Sequence, residues 1–402
     1  MSNKLDIFRR LLAVGLMGLF GFLGYSPTNL LAQQDLQDIE IPDGDECASC
    51  HIDLEEIPDD FVPYDVHFIK GLSCAGCHGG DASSDDEDIA MSAEAGFAGV
   101  PDPRDIPAFC GKCHSDPAFM RTFQPTIRTD QEAQFETSAQ GMALADGDTK
   151  VATCASCHSA HAIIPASDAR APIYAVNVPE TCNTCHGDDE YMAGYGLEKN
   201  VFEKFAKSVH GVALLEDGDV GSPACNDCHG SHGALPPEVS SLVQVCGTCH
   251  ANNQLLFEKS EMGAAFEEDE LQACMECHDH HDIEAPTDEM TGIGDESVCT
   301  DCHSDDDPGY AAADTIYRQL TALVAITDSA ILMKAEVARV GMDDVDIEYL
   351  LLDAHQSLIE SRTLVHAFDA SLAVIRQLYV PASEPSLFTS WRMTNEAGFS
   401  GK

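Results

Sequence analysis

Two stretches of the chain carry a sustained hydrophobic pattern. The first is the apolar run Leu11 to Gly24, preceded by Lys4, Arg9 and Arg10 and followed by Pro27. A basic start, a short apolar run and a small residue, Ala32, before Gln33 predict a secretory leader over residues 1–32. The run is short for a membrane span, and no other run approaches the ~20 apolar residues that spanning requires. Leu30 is bulky for a cleavage site, so an uncleaved anchor stays open as an alternative. No cysteine lies near residue 32, which excludes a lipid anchor there. The second stretch is residues 311–380, rich in Ala, Leu, Ile and Val at helical spacing. Ile316, Leu320, Leu323 and Val324 mark one apolar face, Gly341 breaks the segment, and Asp343-Asp344 start a second helix expected to run to about Tyr379. His355 and His366 lie on that second helix, about three turns apart and so on one side. Residues 382–402 read as a loose tail, and Gly79 to about Pro107 as a Gly- and acid-rich loop or linker.

Between the two stretches the order is set by cysteine. The chain has 18 cysteines, all in Cys-x-x-Cys-His motifs. The pairs are Cys47/Cys50, Cys74/Cys77, Cys110/Cys113, Cys154/Cys157, Cys182/Cys185, Cys225/Cys228, Cys246/Cys249, Cys274/Cys277 and Cys299/Cys302. Each is followed at once by a histidine: His51, His78, His114, His158, His186, His229, His250, His278 and His303. The pentapeptide is the signature of c-type haem attachment. The thiols add to the haem vinyl groups, and the histidine becomes the proximal iron ligand. Zinc sites would need the motifs in four-ligand sets, and nine is odd. A disulfide framework would tolerate other spacings, and none occurs. The reading is nine covalent haems c.

Residues 33–303 hold all nine motifs, about 30 residues for each. So little chain cannot build an ordinary side-chain core around each site. The porphyrins must form the core, with the peptide wrapped over them. The expected fold is mainly α with much irregular structure. It is a haem-cored domain over residues 33–304 built from two-haem modules, with a helical hairpin and tail over 305–402.

A two-haem repeat runs three times, over about residues 108–165, 180–236 and 244–285. Each copy has a motif, then Phe-x-x-Ser-x-(variable)-Gly, then a second motif and a histidine three residues past its proximal histidine. The Phe-to-Gly elements are Phe135 to Gly141, Phe205 to Gly211 and Phe257 to Gly263, and the closing histidines are His161, His232 and His281. The variable position is Gln140, His210 and Met262 in the three copies. His210 would complete a bis-His haem, and Met262 a His/Met haem of higher potential. Gln140 is a poor iron ligand. Met142 or a histidine from elsewhere could replace it, or that iron is open. His67, in Tyr64-Asp65-Val66-His67, is a further distal candidate, and His280 reads as a surface or supporting residue. His355 or His366 is the expected supplier for the ninth haem, with the other free to serve elsewhere. Counting His67, His161, His210, His232, His281, His355, His366 and Met262, at least one iron lacks an evident sixth ligand.

The net charge is −48 and the pI near 4.3. Such a surface repels nucleic acid. It keeps an exported protein soluble, or steers it toward a basic redox partner.

The run Phe205-Ala-Lys-Ser-Val-His210-Gly211, followed by Cys225-Asn-Asp-Cys-His-Gly-Ser-His232-Gly233, resembles the exported multihaem c-type cytochromes. These include the pentahaem donors of nitrite reductases and the decahaem subunits of outer-membrane electron conduits. The resemblance covers roughly residues 46–304 and is to the class. It implies close-packed bis-His haems, a periplasmic or extracellular location, and electron transfer between redox proteins. The partners it implies are a membrane quinol oxidase on one side and a terminal reductase or outer-membrane conduit on the other. Gln140 and Met262 depart from the histidine expected there. Two other readings stay open: a multihaem oxidoreductase acting on a nitrogen or sulfur oxyanion at one open haem, and a subunit of an extracellular filament or outer-membrane conduit.

Overall fold

The computed structural model describes residues 45–54, 57, 64–237, 242–342 and 345–370. The leader expected over 1–32 and the tail over 382–402 lie outside them. The described residues form helices and turns, with no strand among them. No helix of the described residues is long and apolar enough to cross a membrane. The chain divides into two compact units: residues up to Pro101 with Ser159–Pro165, and Asp102–His158 with Ala166 onward. This cuts through the first expected repeat, whose closing residues 159–165 belong to the first unit.

The motifs fold as short helical turns. Cysteines at i and i+3 and a histidine at i+4 fall on one side of such a turn, which is why the spacing suits a single planar group. Two forms alternate. The third and fifth motifs end longer helices, Ile106–His114 and Val178–His186, each with a proline in its first turn. The second, fourth and sixth are the single turns Cys74–His78, Cys154–His158 and Cys225–His229, and the eighth is Met275–His278. After each of these four, the next residue takes a positive φ: Gly79 71°, Ser159 70°, Gly230 86° and Asp279 62°. The helix stops there and the chain swings away.

The Phe-x-x-Ser-x-(variable)-Gly element has one local structure in all three copies. Ser138, Ser208 and Ser260 cap the next helix by accepting the N–H of Gly141, Gly211 and Gly263 at 2.9–3.0 Å. The same hydroxyls donate to the carbonyls of Phe135, Phe205 and Phe257 at 2.6–2.7 Å. A Cβ on any of the three glycines would fall within about 2.1 Å of that phenylalanine carbonyl. Serine and glycine are therefore both required by the turn, while the residue between them is free to vary.

The helix Pro308–Arg339 starts on the Asp307 cap with proline at its first position and buries Ala313, Ile316, Leu320 and Thr327. Gly341, at φ 80°, ends it. Val345–Leu364 packs back on it. This second helix is shorter than its sequence predicts. It stops at Leu364, Val365–Ala367 tightens to a 3-10 turn, and Phe368 takes a left-handed φ of 52°. His355 lies exposed on the helix and His366 lies past its end, so they do not share a helical face.

Buried apolar groups are few and sit against the motifs. Phe68 and Ala48 pack on Cys74. Val178, Leu214 and Ala224 pack on Cys182 and Cys225. Leu242, Phe257 and Ala273 pack on Cys274, joined by Phe368.

Candidate haem-ligating centres

Five motif histidines face a second histidine across a near-constant gap. In the first unit His78 faces His161 at 6.2 Å between ring centroids. In the second unit His158 faces His232 at 6.0 Å, His229 faces His281 at 6.0 Å, His250 faces His210 at 6.2 Å and His278 faces His366 at 6.1 Å. Two imidazoles that each hold one metal atom at about 2 Å place their centroids about 6 Å apart. Bare packing scatters more widely, as His280 and His281 show at 4.5 Å. The five gaps therefore fit an iron held by two histidines.

The ring tautomers fit as well. Nδ1 of His78, His229 and His366 lies 3.0–3.2 Å from the carbonyls of Gly99, Leu235 and Thr363. A carbonyl only accepts, so Nδ1 carries the proton and Nε2 is the ligating nitrogen. His281 makes the same use of Glu198 Oε2 at 3.1 Å. For His366, Asn253 Nδ2 lies 3.3 Å from Nε2, a contact that metal binding would displace. Burial lowers the pKa of His158, His161, His210 and His278, and the facing imidazole lowers it further. Burial also lowers His186, His232, His281 and His366. These rings are thus kept neutral, the form that binds metal. A hollow of about 460 Å³ opens beside His232, lined in part by Arg128, Gln134, Asn226 and Ser231.

None of His161, His232 and His281 faces the proximal histidine of the motif that it follows. His161, His232 and His281 each stand three residues past His158, His229 and His278, yet they face His78, His158 and His229. The positive-φ residue after each motif redirects them. His210 precedes the sixth motif and faces the proximal histidine of the seventh. His366 faces the eighth motif, not the ninth as its position in sequence implied. His67 is held at Nδ1 by Asp65, 3.2 Å away. Burial works to raise the Asp65 carboxyl, but hydrogen bonds from His67 and Ile163 outweigh it and hold the group below its usual range. Met262 is partly buried one residue before Gly263, and Met142 is exposed. Nδ1 of His303 lies 3.1 Å from Asp307.

The peptide covers the attachment points unevenly. The first cysteine of each motif is partly buried. The second is exposed in five motifs, at Cys50, Cys77, Cys228, Cys249 and Cys302, and only partly buried at Cys113, Cys157, Cys185 and Cys277. The path of the flanking chain sets the difference. The first cysteine opens the motif and meets the side chains that lead into it, as Cys74, Cys182, Cys225 and Cys274 do. The second stands one residue before the histidine, where the chain is about to leave. Cys50 lies near the end of Glu46–Asp53, Cys113 in the last turn of Ile106–His114, and Cys249 beyond the end of Leu242–Gly247.

Consecutive motifs lie near one another at their cysteines. The first cysteines pair at Cys110/Cys154, Cys182/Cys225 and Cys246/Cys274, their sulfurs within hydrogen-bond reach of each other. Second cysteines link the intervening steps. Burial raises the thiols of Cys157, Cys228 and Cys277, and Cys182, Cys246 and Cys299 respectively add to the rise. Cys249 adds to the rise at Cys228 as well, so both thiols of the seventh motif lie beside the sixth. The second unit thus brings each of the third to ninth motifs near the next. In the first unit, burial pushes Cys74 up to about 12, helped by Asp45 and Cys47 of the preceding motif.

The supporting residues Glu198, Gly99, Leu235 and Thr363 carry no sequence signal. Glu198 joins His280, His281 and Lys204. Lys204, His280 and His281 hold its carboxyl down to about 2, and the fixed charge of Lys204, 2.8 Å away, makes this a hydrogen-bond hub around His281 and not a cation site.

The Cytochrome c3 family model matches residues 66–187, a stretch with four of the motifs. With this match and the facing histidines, the chain is a multihaem c-type cytochrome, a protein of electron transfer that carries haem c covalently. Neither the curated proteins nor the solved structures contain a match.

Proposed function

We propose that the chain is an exported nine-haem cytochrome that relays electrons between partner redox proteins along a line of mostly bis-His haems. The observation that carries this reading is that first cysteines pair at Cys110/Cys154, Cys182/Cys225 and Cys246/Cys274, while Cys157, Cys228 and Cys277 lie near the motif that follows. Haem c supplies reversible one-electron chemistry at iron. The chain contributes spacing, ligands and environment. Cysteine sulfurs that lie near one another in consecutive motifs keep neighbouring attachment points adjacent. Paired neutral imidazoles, oriented through Nδ1, favour low potentials. Redox protein partners follow from the class, and a membrane quinol oxidase feeding a terminal reductase or outer-membrane conduit fits an exported relay. The surface of net charge −48 favours a basic docking face on the partner.

Intact mass of protein recovered from the periplasmic or extracellular fraction tests the reading, with potentiometric titration followed by electron paramagnetic resonance. A mass carrying nine haems and predominantly low-spin, low-potential signals support it. Fewer haems, or mostly high-spin iron, overturn it.

A further inference from the structure

The distal positions follow one register, and it assigns Gln140 to a particular haem. The amide one residue before each position is pinned to the chain two residues past a distal histidine. Val66 N–H donates to Ile163 O at 2.7 Å, Ala139 N–H to Ala234 O at 3.0 Å, and Val209 N–H to Ile283 O at 2.9 Å. Ile163, Ala234 and Ile283 each stand two residues after His161, His232 and His281. His67, Gln140 and His210 are therefore equivalent places. Within the second unit, Gln140 and His210 also share the Ser cap and the glycine close approach. His210 faces His250, the proximal histidine of the second motif after it. The second motif after Gln140 is Cys182–His186.

A second set of contacts carries the chain after Gln140 to that same motif. Lys150 Nζ donates to the Tyr191 carbonyl at 2.9 Å, and Tyr191 Oη donates to the Lys150 carbonyl. Tyr195 Oη donates to Asp148 Oδ2 at 2.5 Å. Tyr191 and Tyr195 stand five and nine residues after His186. Met142 cannot take over the role. It is two residues from Gln140 on one helix, so it points to the other side, where it is 48% exposed. Other histidines of the second unit are committed or remote: His280 is held by Glu198, and His355 is exposed on the C-terminal hairpin.

We propose that the haem on Cys182, Cys185 and His186 has no protein ligand on its distal face, and that this face, lined by Gln140, binds a small exogenous ligand. The ligand class is a diatomic or triatomic molecule that coordinates iron through one atom and accepts a hydrogen bond at another. The Gln140 amide supplies the N–H. The site lies inside the line of motifs, so electrons reach it from both neighbours.

This inference rests on the nine-haem reading, and one series of measurements separates the two. Proteolytic peptides containing Cys182–His186 are weighed for haem, and carbon monoxide is added to the dithionite-reduced holoprotein. The expected result is a haem-bearing peptide and a spectral change worth a single haem. Gln140→His abolishes that change and adds a low-spin signal to the oxidised spectrum, and Met262→His leaves the change intact. A haem-free peptide sinks the nine-haem reading and this site together. A haem-bearing peptide without carbon monoxide binding overturns the site alone. So does binding that survives Gln140→His, including binding that instead disappears in Met262→His.

Discussion

The imidazoles of His158 and His232 lie within 3° of parallel with their centroids 6.0 Å apart, the flattest of the five facing pairs. His158 belongs to the motif helix, but His232 arrives from the turn after the sixth motif. Removing His232 should therefore alter the fourth haem and spare the sixth, whose proximal histidine is three residues away in sequence. His232→Met is expected to raise the potential of one haem, since His/Met ligation sits above bis-His. Potentiometry that assigns the change to the haem on Cys225 and Cys228 would refute the offset pairing.

Ser208 and Gly211 hold His210 at the start of its helix. Ser208→Ala removes a cap worth about 1 kcal/mol. Gly211→Ala should cost more, because its Cβ would lie 1.8 Å from the Phe205 carbonyl. Both should weaken ligation at the seventh haem. The check is a denaturant midpoint together with the low-spin signal of that haem. An alanine at 211 that leaves both unchanged contradicts the shared turn.

Asp279 is, with Ser159, one of the two non-glycine residues that end the motif turns, and it sits at φ 62° and ψ −165°. That region is essentially reserved for glycine and costs other residues about 1–3 kcal/mol. Asp279→Gly should therefore stabilise the protein by about 1 kcal/mol without changing the His278 haem. Loss of stability in the variant would show that the hydrogen bond from His280 N–H to the Asp279 carboxylate outweighs the backbone strain.

The Asp168 carboxyl is held down to about 2 by its hydrogen bonds from Arg170. A carboxylate lowered in the folded state stabilises it above the unfolded pKa, and loses that contribution as pH falls through the folded value. Stability should decline from about pH 5 toward pH 2, by a small amount because the pair is largely exposed. Asp168→Asn should flatten that part of the acid titration, measured by thermal unfolding against pH. An unchanged slope would remove Asp168 from the account.

The helical hairpin was legible from Ile316, Leu320 and Gly341, because apolar spacing and a breaking glycine act locally. So was the Phe-x-x-Ser-x-(variable)-Gly element, whose serine and glycine serve one turn. The end of the second helix was not legible. Nothing between Leu364 and Phe368 breaks a helix by composition, and the stop follows from packing of Phe368 against Phe257. The uneven cover of the cysteines was hidden too. Cys50, Cys113 and Cys249 occupy the same place in one repeated pentapeptide, and only the path of the flanking chain makes Cys113 more sheltered than the other two. The pairing of distal histidines was also out of reach. Ser159 and Asp279 give no sign of a positive φ, yet those two backbone angles send His161 and His281 to other motifs. The sequence places a ligand beside its own haem, and the turn takes it elsewhere.

The offset between a motif and the histidine that completes it has a consequence for assembly. A chain that is threaded out and loaded from its N-terminal end passes through a series of half-built stages. With the facing histidines as ligand pairs, as proposed, a haem on Cys74 and Cys77 would wait for His161, one on Cys154 and Cys157 for His232, and one on Cys274 and Cys277 for His366. Each new stretch closes the site behind it and leaves its own open. Any cut between His78 and His366 separates at least one of the facing pairs. The segment Val365–Ala367, far from any attachment motif, is thus the last stitch in a seam that runs back to the second motif.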